Sequence, residues 1–333
     1  MRKVIGIGET VLDILFRDGQ PIGALPGGSV FNALVSLGRC GVPSTMIGET
    51  GDDRLGEMTI RFLKDNGVCA DYIQTYAGAR SALSLAFLNE HNDAEYLFYK
   101  DHPHYRLDFG LRGDKMPDIE ADDILLFGSF YAVNPVIREQ MKSLLDKAHE
   151  AGAIIYYDVN YRPSHKGDIM RITPHLMENF EYADIVRGST DDFMTLYEKD
   201  DAEQIFRANI SFYCRNLIVT SGPKPVKVLT KEGLRQEVPT DTREKAVSTV
   251  GAGDSFNAGF IFSLLQQGIT HEMIQQGLES GQWEKLIQTG QRFAAESCRD
   301  IYNYVSKEFG QKEKVSEKSQ KSLFDELEEI QET

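Results

Sequence analysis

Long apolar runs are missing from this chain of 333 residues; none approaches the roughly 20 residues that span a bilayer, so no membrane partner is expected. No secretory leader is expected either. Arg2 and Lys3 make a short basic start, but Gly6, Gly8, Glu9 and Asp13 break up what would follow. Cysteine is scarce: Cys40, Cys69, Cys214 and Cys298 lie far apart without a CxxC pair, which argues against a disulfide scaffold and leaves no zinc pattern. His102 and His104 are the only close histidine pair, and they flank a proline as loop residues do. Positive charge is short. The 36 Lys and Arg against 51 Asp and Glu leave −15, the wrong sign for a nucleic-acid backbone. An anionic small ligand is not excluded, because a pocket can differ from the average surface. These deficits describe a reduced, cytoplasmic protein.

What is present is material for a large core, with 41% hydrophobic and 10% aromatic residues. No internal repeat occurs. Short β-branched runs alternate with helical patterns. Strands are expected at Val4–Ile7, Thr45–Gly48, Ile124–Phe127, Ile154–Tyr157, Ile185–Val186 and Leu217–Val219, and helices at Ser29–Arg39, 54–66 and Pro135–Glu150. Strands separated by helix-length segments imply an α/β protein, its mostly parallel sheet covered on both faces. Two stretches break the rhythm. Asp13–Ala24 is Gly-rich and lacks helical periodicity. Ala82–Leu88 and Glu95–Tyr99, joined by Asn89–Asp93, read as a hairpin. Together, 13–24 and 81–105 are expected to form a small β-flap that covers a ligand. Residues 311–333 form a charged tail whose Leu323, Phe324, Leu327 and Ile330 share one helical stripe; a solvated tail is favoured over a docked one.

The strongest local feature is Val250-Gly251-Ala252-Gly253-Asp254-Ser255-Phe256, which follows a β-like Lys245-Ala246-Val247 and enters an apolar helix. Small residues ahead of a helix leave backbone N–H groups uncovered, and with the positive end of the helix dipole they form an anion hole for a phosphoryl group. Asp254 within it is either a general base that takes a proton from an attacking hydroxyl or a helix cap, and this segment alone does not choose. A dinucleotide fingerprint fails twice: Val11 stands where Gly6-Ile7-Gly8 needs its third glycine, and Phe256 where Gly251-Ala252-Gly253 does. No GxxxxGK[ST] loop occurs. A second constellation, Pro26-Gly27-Gly28-Ser29-Val30-Phe31-Asn32-Ala33, lets backbone approach a ligand, with Asn32 one turn into a helix. Asp13 lies just past the first strand, at the end where open α/β sheets bind ligands. An Asp and an Asn suit a polyhydroxylated substrate, although the same residues also make an ordinary loop and helix start.

The pair of segments 27–33 and 249–256, in this order, resembles the two signatures of the ribokinase-like (PfkB) sugar kinases. Gly6–Asp13 is similar to that family's opening strand and substrate aspartate, Gly51-Asp52-Asp53-Arg54-Leu55-Gly56 to its G-x-D-x-x-G segment, and Thr220-Ser221-Gly222 to its T-x-G turn. Asp158-Val159-Asn160-Tyr161-Arg162-Pro163 resembles the D-x-N-x-R-P of fructokinase-type members. The resemblance covers about residues 3–305. It implies a doubly wound, three-layer ribokinase-like fold over residues 1–310 with the inserted β-sheet lid, and ATP-dependent phosphorylation of a sugar hydroxyl. Asp254 is then the base; Gly251, Ala252 and Gly253 supply the anion hole; and Asp13, Gly27, Gly28 and Asn32 grip the sugar. Asn160 and Arg162 lie beside substrate or phosphate, Ser189, Thr220 and Gly222 beside the nucleotide, and the lid makes a homodimer contact.

Two departures stand out. The family's N-x-x-E motif reads Ser189-Thr190-Asp191-Asp192 here, so Asp192 would reach magnesium through water with a side chain one methylene short. Ser248 stands where an Asp often helps form a monovalent-cation site, so little response to potassium is expected. The D-x-N-x-R-P run favours a ketohexose such as fructose. 2-Keto-3-deoxygluconate, ribose and nucleosides are the alternatives within the family, and a non-catalytic sugar-binding member the alternative outside catalysis.

Overall fold

The computed structural model describes residues 2–89, 94–99, 116–241 and 246–314. In chain order its strands and helices are β1 (Val4–Ile7), β2 (Val11–Arg17), β3 (Gln20–Gly27), α1 (Ser29–Arg39), β4 (Ser44–Gly51), α2 (Arg54–Asp65), β5 (Val68–Tyr76), β6 (Ala82–Leu88), β7 (Ala94–Tyr99) and β8 (Ile124–Gly128). Then come α3 (Ser129–Val133), α4 (Arg138–Glu150), β9 (Ile154–Asp158), α5 (Ile169–Tyr182), β10 (Ile185–Ser189), α6 (Thr190–Tyr197), α7 (Ala202–Ile205), β11 (Asn216–Thr220), β12 (Val226–Thr230) and β13 (Arg235–Val238). Four helices close the chain: α8 (Ala252–Gln266), α9 (His271–Gln276), α10 (Ser280–Ser297) and α11 (Lys307–Glu313).

Nine strands make one sheet in the order β13-β12-β11-β10-β9-β8-β1-β4-β5, parallel except where β12 and β13 turn back at one edge. The expected strands without alternating polarity are those buried on both faces, and period 2 deals their residues to two cores. Val4, Ile124, Leu126, Ile154 and Tyr156 pack in a cluster with residues of α1, α8 and α10. Ile5, Ile7, Leu125, Phe127, Ile155 and Tyr157 pack in another with residues of α4 and α5. The result is the three-layer, doubly wound architecture expected. From β1 the chain adds β4 and β5 on one side, then crosses back to add β8 through β11 on the other. The reversal falls between β1 and β8, the point of an open α/β sheet where a crevice opens at the strands' carboxyl ends.

Four strands make the second sheet, β3-β2-β6-β7, two antiparallel hairpins joined by the parallel pair β2–β6. The Gly-rich stretch from Asp13 therefore forms strands, turned at Asp18-Gly19 with positive φ at both residues (50° and 73°), as a two-residue hairpin requires. Leu15, Ala86 and Leu88 on its inner face pack against Val250, which seats the sheet over the start of α8.

Some expectations are corrected. Ala246 and Val247 are not in a strand; Val247 N donates to Cys298 O at the end of α10 (2.8 Å). The expected helix at 135–150 begins as a 3-10 turn over Pro135–Ile137, where Asn134 rather than an α-helical start takes the N–H of Val136. α11 runs through residue 310. The hairpin residues 90–93, Lys245, the segment 100–105 with His102 and His104, and the stripe in the tail lie outside the described residues.

Candidate active site

Three strand ends and two helix starts meet at the reversal point. β1 leads through Glu9 into β2 with Asp13; β8 ends in Gly128 and runs into Ser129; β9 ends in Asp158 and continues through Asn160 to Arg162. α1 starts at Ser29 and α8 at Ala252. Glu9, Asp13, Gly28, Asn32, Asn160, Arg162, Gly251 and Asp254 line one pocket, with Tyr96 and Phe98 of β7 above them. The sequence-derived sugar and phosphoryl candidates are thus brought together, and Gly27 ends β3 directly opposite Val11.

The start of α8 has the shape of an anion hole. Gly251 is its N-cap at φ 76°, and a Cβ there would lie 2.3 Å from Asn303 O, so only glycine fits. Ser255 N bonds Gly251 O at 2.8 Å and Ala252 N reaches back to Thr249 O at 3.2 Å. That leaves the N–H groups of Gly251, Gly253 and Asp254 without a backbone partner among the described residues. Gly28 is equally constrained, at φ 128° with Glu9 O 2.2 Å from where a Cβ would be.

Asp254 does not cap its own helix. No side chain caps α8, and the Asp254 carboxylate instead accepts Ser29 Oγ–H on Oδ1 (2.7 Å) and an Asn32 Nδ2–H on Oδ2 (2.8 Å). The start of α1 therefore aims the base-like carboxylate of α8. Burial pushes the Asp254 carboxyl up to about 6, against those two hydrogen bonds, which pull it down, and the charge of Asp158, which adds to the rise. Asp13 is 5% exposed and accepts from Asn303 Nδ2 (2.8 Å). Burial raises it to about 7, with Ser84 and Asn303 opposing and Asp254 reinforcing. Asn32 Oδ1 and Asn303 Oδ1 are buried without a partner, two acceptors left over beside the pocket. A hydroxyl-rich ligand supplies what they lack.

The nucleotide-side candidates sit further along the sheet edge. Ser189 and Asp192 form a capping box at the start of α6. Asp192 Oδ2 accepts from Ser189 N (2.6 Å) and Oγ (2.8 Å), and Oδ1 from Tyr161 N (2.8 Å). Its carboxylate is thus held by backbone. No group of three or more metal-binding side chains occurs among the described residues. Thr220 ends β11, Gly222 follows in an exposed turn at φ 51°, and Ser248 is buried with Val250 N donating to its Oγ (3.2 Å).

Sequence reasoning gave no task to Ser29, Asn303, Arg187 or Asn257. Ser29 lies inside a quoted segment but reads as a helix start. Asn303 is 290 positions from Asp13, and nothing local marks the contact.

The signature of the pfkB family of carbohydrate kinases matches residues 2–302. A relative, the probable fructokinase-5 of Arabidopsis thaliana, is 32% identical over 280 residues, 80% of this chain and 83% of that one. The 5-dehydro-2-deoxygluconokinase of Geobacillus kaustophilus is 28% identical over 250 residues, 72% of each chain. Among solved structures, fructokinase from Vibrio cholerae O395 in its fructose, ADP and calcium ion bound form superposes with a TM-score of 0.79 at 21% identity, covering 91% of this chain and 94% of that one.

Proposed function

The chain belongs to the pfkB family of carbohydrate kinases and is an ATP-dependent sugar kinase, and from that premise we propose that it phosphorylates a hydroxyl of a ketohexose such as fructose, with Asp254 as general base. The observation that carries the assignment is the carboxylate of Asp254, aimed into the pocket by Ser29 and Asn32 beside N–H groups that its own helix leaves open. Asp254 takes the hydroxyl proton as that oxygen attacks the γ-phosphorus, whose bond to the β–γ bridging oxygen breaks so that ADP leaves. The open N–H groups of Gly251, Gly253 and Asp254 at the helix start, rather than that of Ala252, which is turned back to Thr249 O, hold the transferred phosphoryl oxygens, where charge develops. Asp13, Asn32 and the backbone at Gly27 and Gly28 orient the sugar, and Asn160 and Arg162 close the pocket's other side. Ser189, Thr220 and Gly222 flank the nucleotide.

Magnesium enters as part of the nucleotide substrate. Mg2+ keeps several waters and is bound through substrate phosphates with one or two carboxylates, which fits a site whose nearby Asp192 is already held by backbone donors and meets the ion through water. Four unpaired cysteines support a cytoplasmic location. The lid sheet supports a homodimer, because its outer face is apolar as well as its inner one.

A second reading, a keto-acid sugar such as 2-keto-3-deoxygluconate, is favoured by Arg162 and His165 at the pocket, which suit a carboxylate. A panel of ketohexoses, aldoses, keto-acid sugars and nucleosides with Mg-ATP, following ADP release, separates these readings. Fructose is expected to give the highest kcat/KM. Release with none of them would overturn the kinase mechanism and favour a sugar-binding member.

A further inference from the structure

Arg187 has no part in the mechanism above, yet it lies directly behind it. It is the third residue of β10 and 6% exposed. Its Nη1 donates to both oxygens of Asp158 (3.0 and 3.3 Å) and its Nη2 to Thr220 Oγ1 (2.7 Å). Asn257 Nδ2 donates to the same Asp158 carboxylate (2.6 Å), and its Oδ1 accepts from Tyr156 OH (3.0 Å). Asn257 stands three residues after Asp254 on α8. One guanidinium therefore links the ends of β9 and β11 to the helix that carries Asp254.

It also reaches the back of the anion hole. A Cβ at Gly253 would lie 3.1 Å from Nη2, so the guanidinium rests against the backbone of the first turn of α8. Its Nε is buried without a hydrogen-bond partner. Asp158 and Asp192 beside it and Asp13 and Asp254 in the pocket are all buried. Among the described residues Arg138 is also buried, and it is engaged elsewhere, with Glu178 and Asn179. A buried ion pair with an unfilled donor is a poor way to gain stability, since desolvation of both charges offsets their attraction. Polyanionic phosphates arriving in front of four buried carboxylates, by contrast, need a fixed cation behind the N–H groups that hold them.

We propose that Arg187 is a positioning residue for the nucleotide: it locks the turn after Thr220 to the start of α8 and sets a permanent positive charge behind the anion hole. This rests on the kinase reading, with ATP phosphates between α8 and β11. The test uses the full chain with Arg187→Lys and Arg187→Met. Mg-ADP affinity is read by calorimetry, steady-state kinetics by ADP release, and thermal unfolding alongside. Arg187→Lys keeps charge without the fork and is expected to fold, bind Mg-ADP about tenfold more weakly and raise KM for ATP, with sugar KM within about twofold. Arg187→Met is expected to lose kcat as well. A merely structural role would lower Tm with both KM values moving together; that result, or Mg-ADP affinity within about twofold of the parent in the folded variants, overturns the proposal. Loss of Mg-ADP binding in the variants of a protein that phosphorylates no sugar would sink the kinase mechanism but not Arg187, whereas unchanged binding in a working kinase sinks Arg187 alone.

Discussion

Burial holds the Asp254 carboxyl at about 6, and a base must be ionised to act, so kcat is expected to fall about tenfold per unit as pH drops below about 6. A profile flat from pH 5 to 8 would remove Asp254 from the proton transfer. The same shift has a stability sign. A carboxyl raised from 3.8 to about 6 binds its proton more tightly folded than unfolded, so its stabilising contribution is full below about pH 4 and lost as pH rises through about 6. Asp254→Asn is therefore expected to lower kcat by about 10²- to 10⁴-fold while raising Tm at pH 8, by at most roughly 3 kcal/mol of stability, with the gap closing toward pH 4. Asn32→Ala acts on two properties at once. It removes a sugar partner, so sugar KM should rise more than ATP KM. It also removes the Nδ2–H···Oδ2 bond that pulls the Asp254 pKa down, so the acid limb of the kcat profile should move to higher pH. An unmoved limb would place Asn32 in sugar binding only. At this scale the sequence was readable where motif and chemistry coincide, at Asp13, Asn32 and Asp254. Ser29, Arg187 and Asn303 were not, because each acts through a contact made by the fold: Ser29 across 225 positions to Asp254, Asn303 across 290 to Asp13.

The start of α8 shows how a turn governs a site. Gly251 sits at φ 76° with Asn303 O where a side chain would go, so Gly251→Ala has to push apart the N-cap and the segment that orients Asp13. Expected are a lower Tm and a kcat loss of at least about tenfold, checked by unfolding and ADP release; an alanine variant with parental kinetics would mean that the turn relaxes without cost. Elements with a full local signal were legible: α1 keeps the expected Ser29–Arg39 because its apolar face begins right after paired glycines, and β6 and β7 fall on the two apolar runs expected at Ala82–Leu88 and Glu95–Tyr99. Asp13–Ala24 looked irregular because glycines and a proline interrupt its alternation, although Asp18-Gly19 is itself a strong hairpin signal. β12 and β13 carried no expectation at all. Both are short and antiparallel; β12 lies between β11 and β13, and β13 is the largely exposed edge, so its sequence lacks the continuous apolar run that marked the buried parallel strands.

For the molecule as a whole, the large sheet is covered on both faces by helices, but among the described residues the small one is covered on one. Its register sends Asp13, Ser84, Tyr96 and Phe98 toward the pocket, and Ile14, Phe16, Leu85, Phe87, Leu97 and Tyr99 to the opposite face. There Phe16 stacks on Phe87 with centroids 5.0 Å apart, while Leu97 is 48% and Tyr99 57% exposed. On a chain of net charge −15, a second copy is the expected cover for such a two-sided apolar sheet, since this face carries little of that charge. Sedimentation at micromolar concentration is expected to give about twice the chain mass of 37.5 kDa, and Leu97→Lys to return it to the monomer. The inner face of the same four strands carries Asp13 and Tyr96, so the monomeric variant should hold its lid less firmly and show a raised sugar KM, with ATP KM little changed and Tm close to the parent's. A parent chain that sediments as a monomer would leave the outer face without this role. A Leu97→Lys monomer with parental sugar KM would separate assembly from the pocket and leave the lid to order itself.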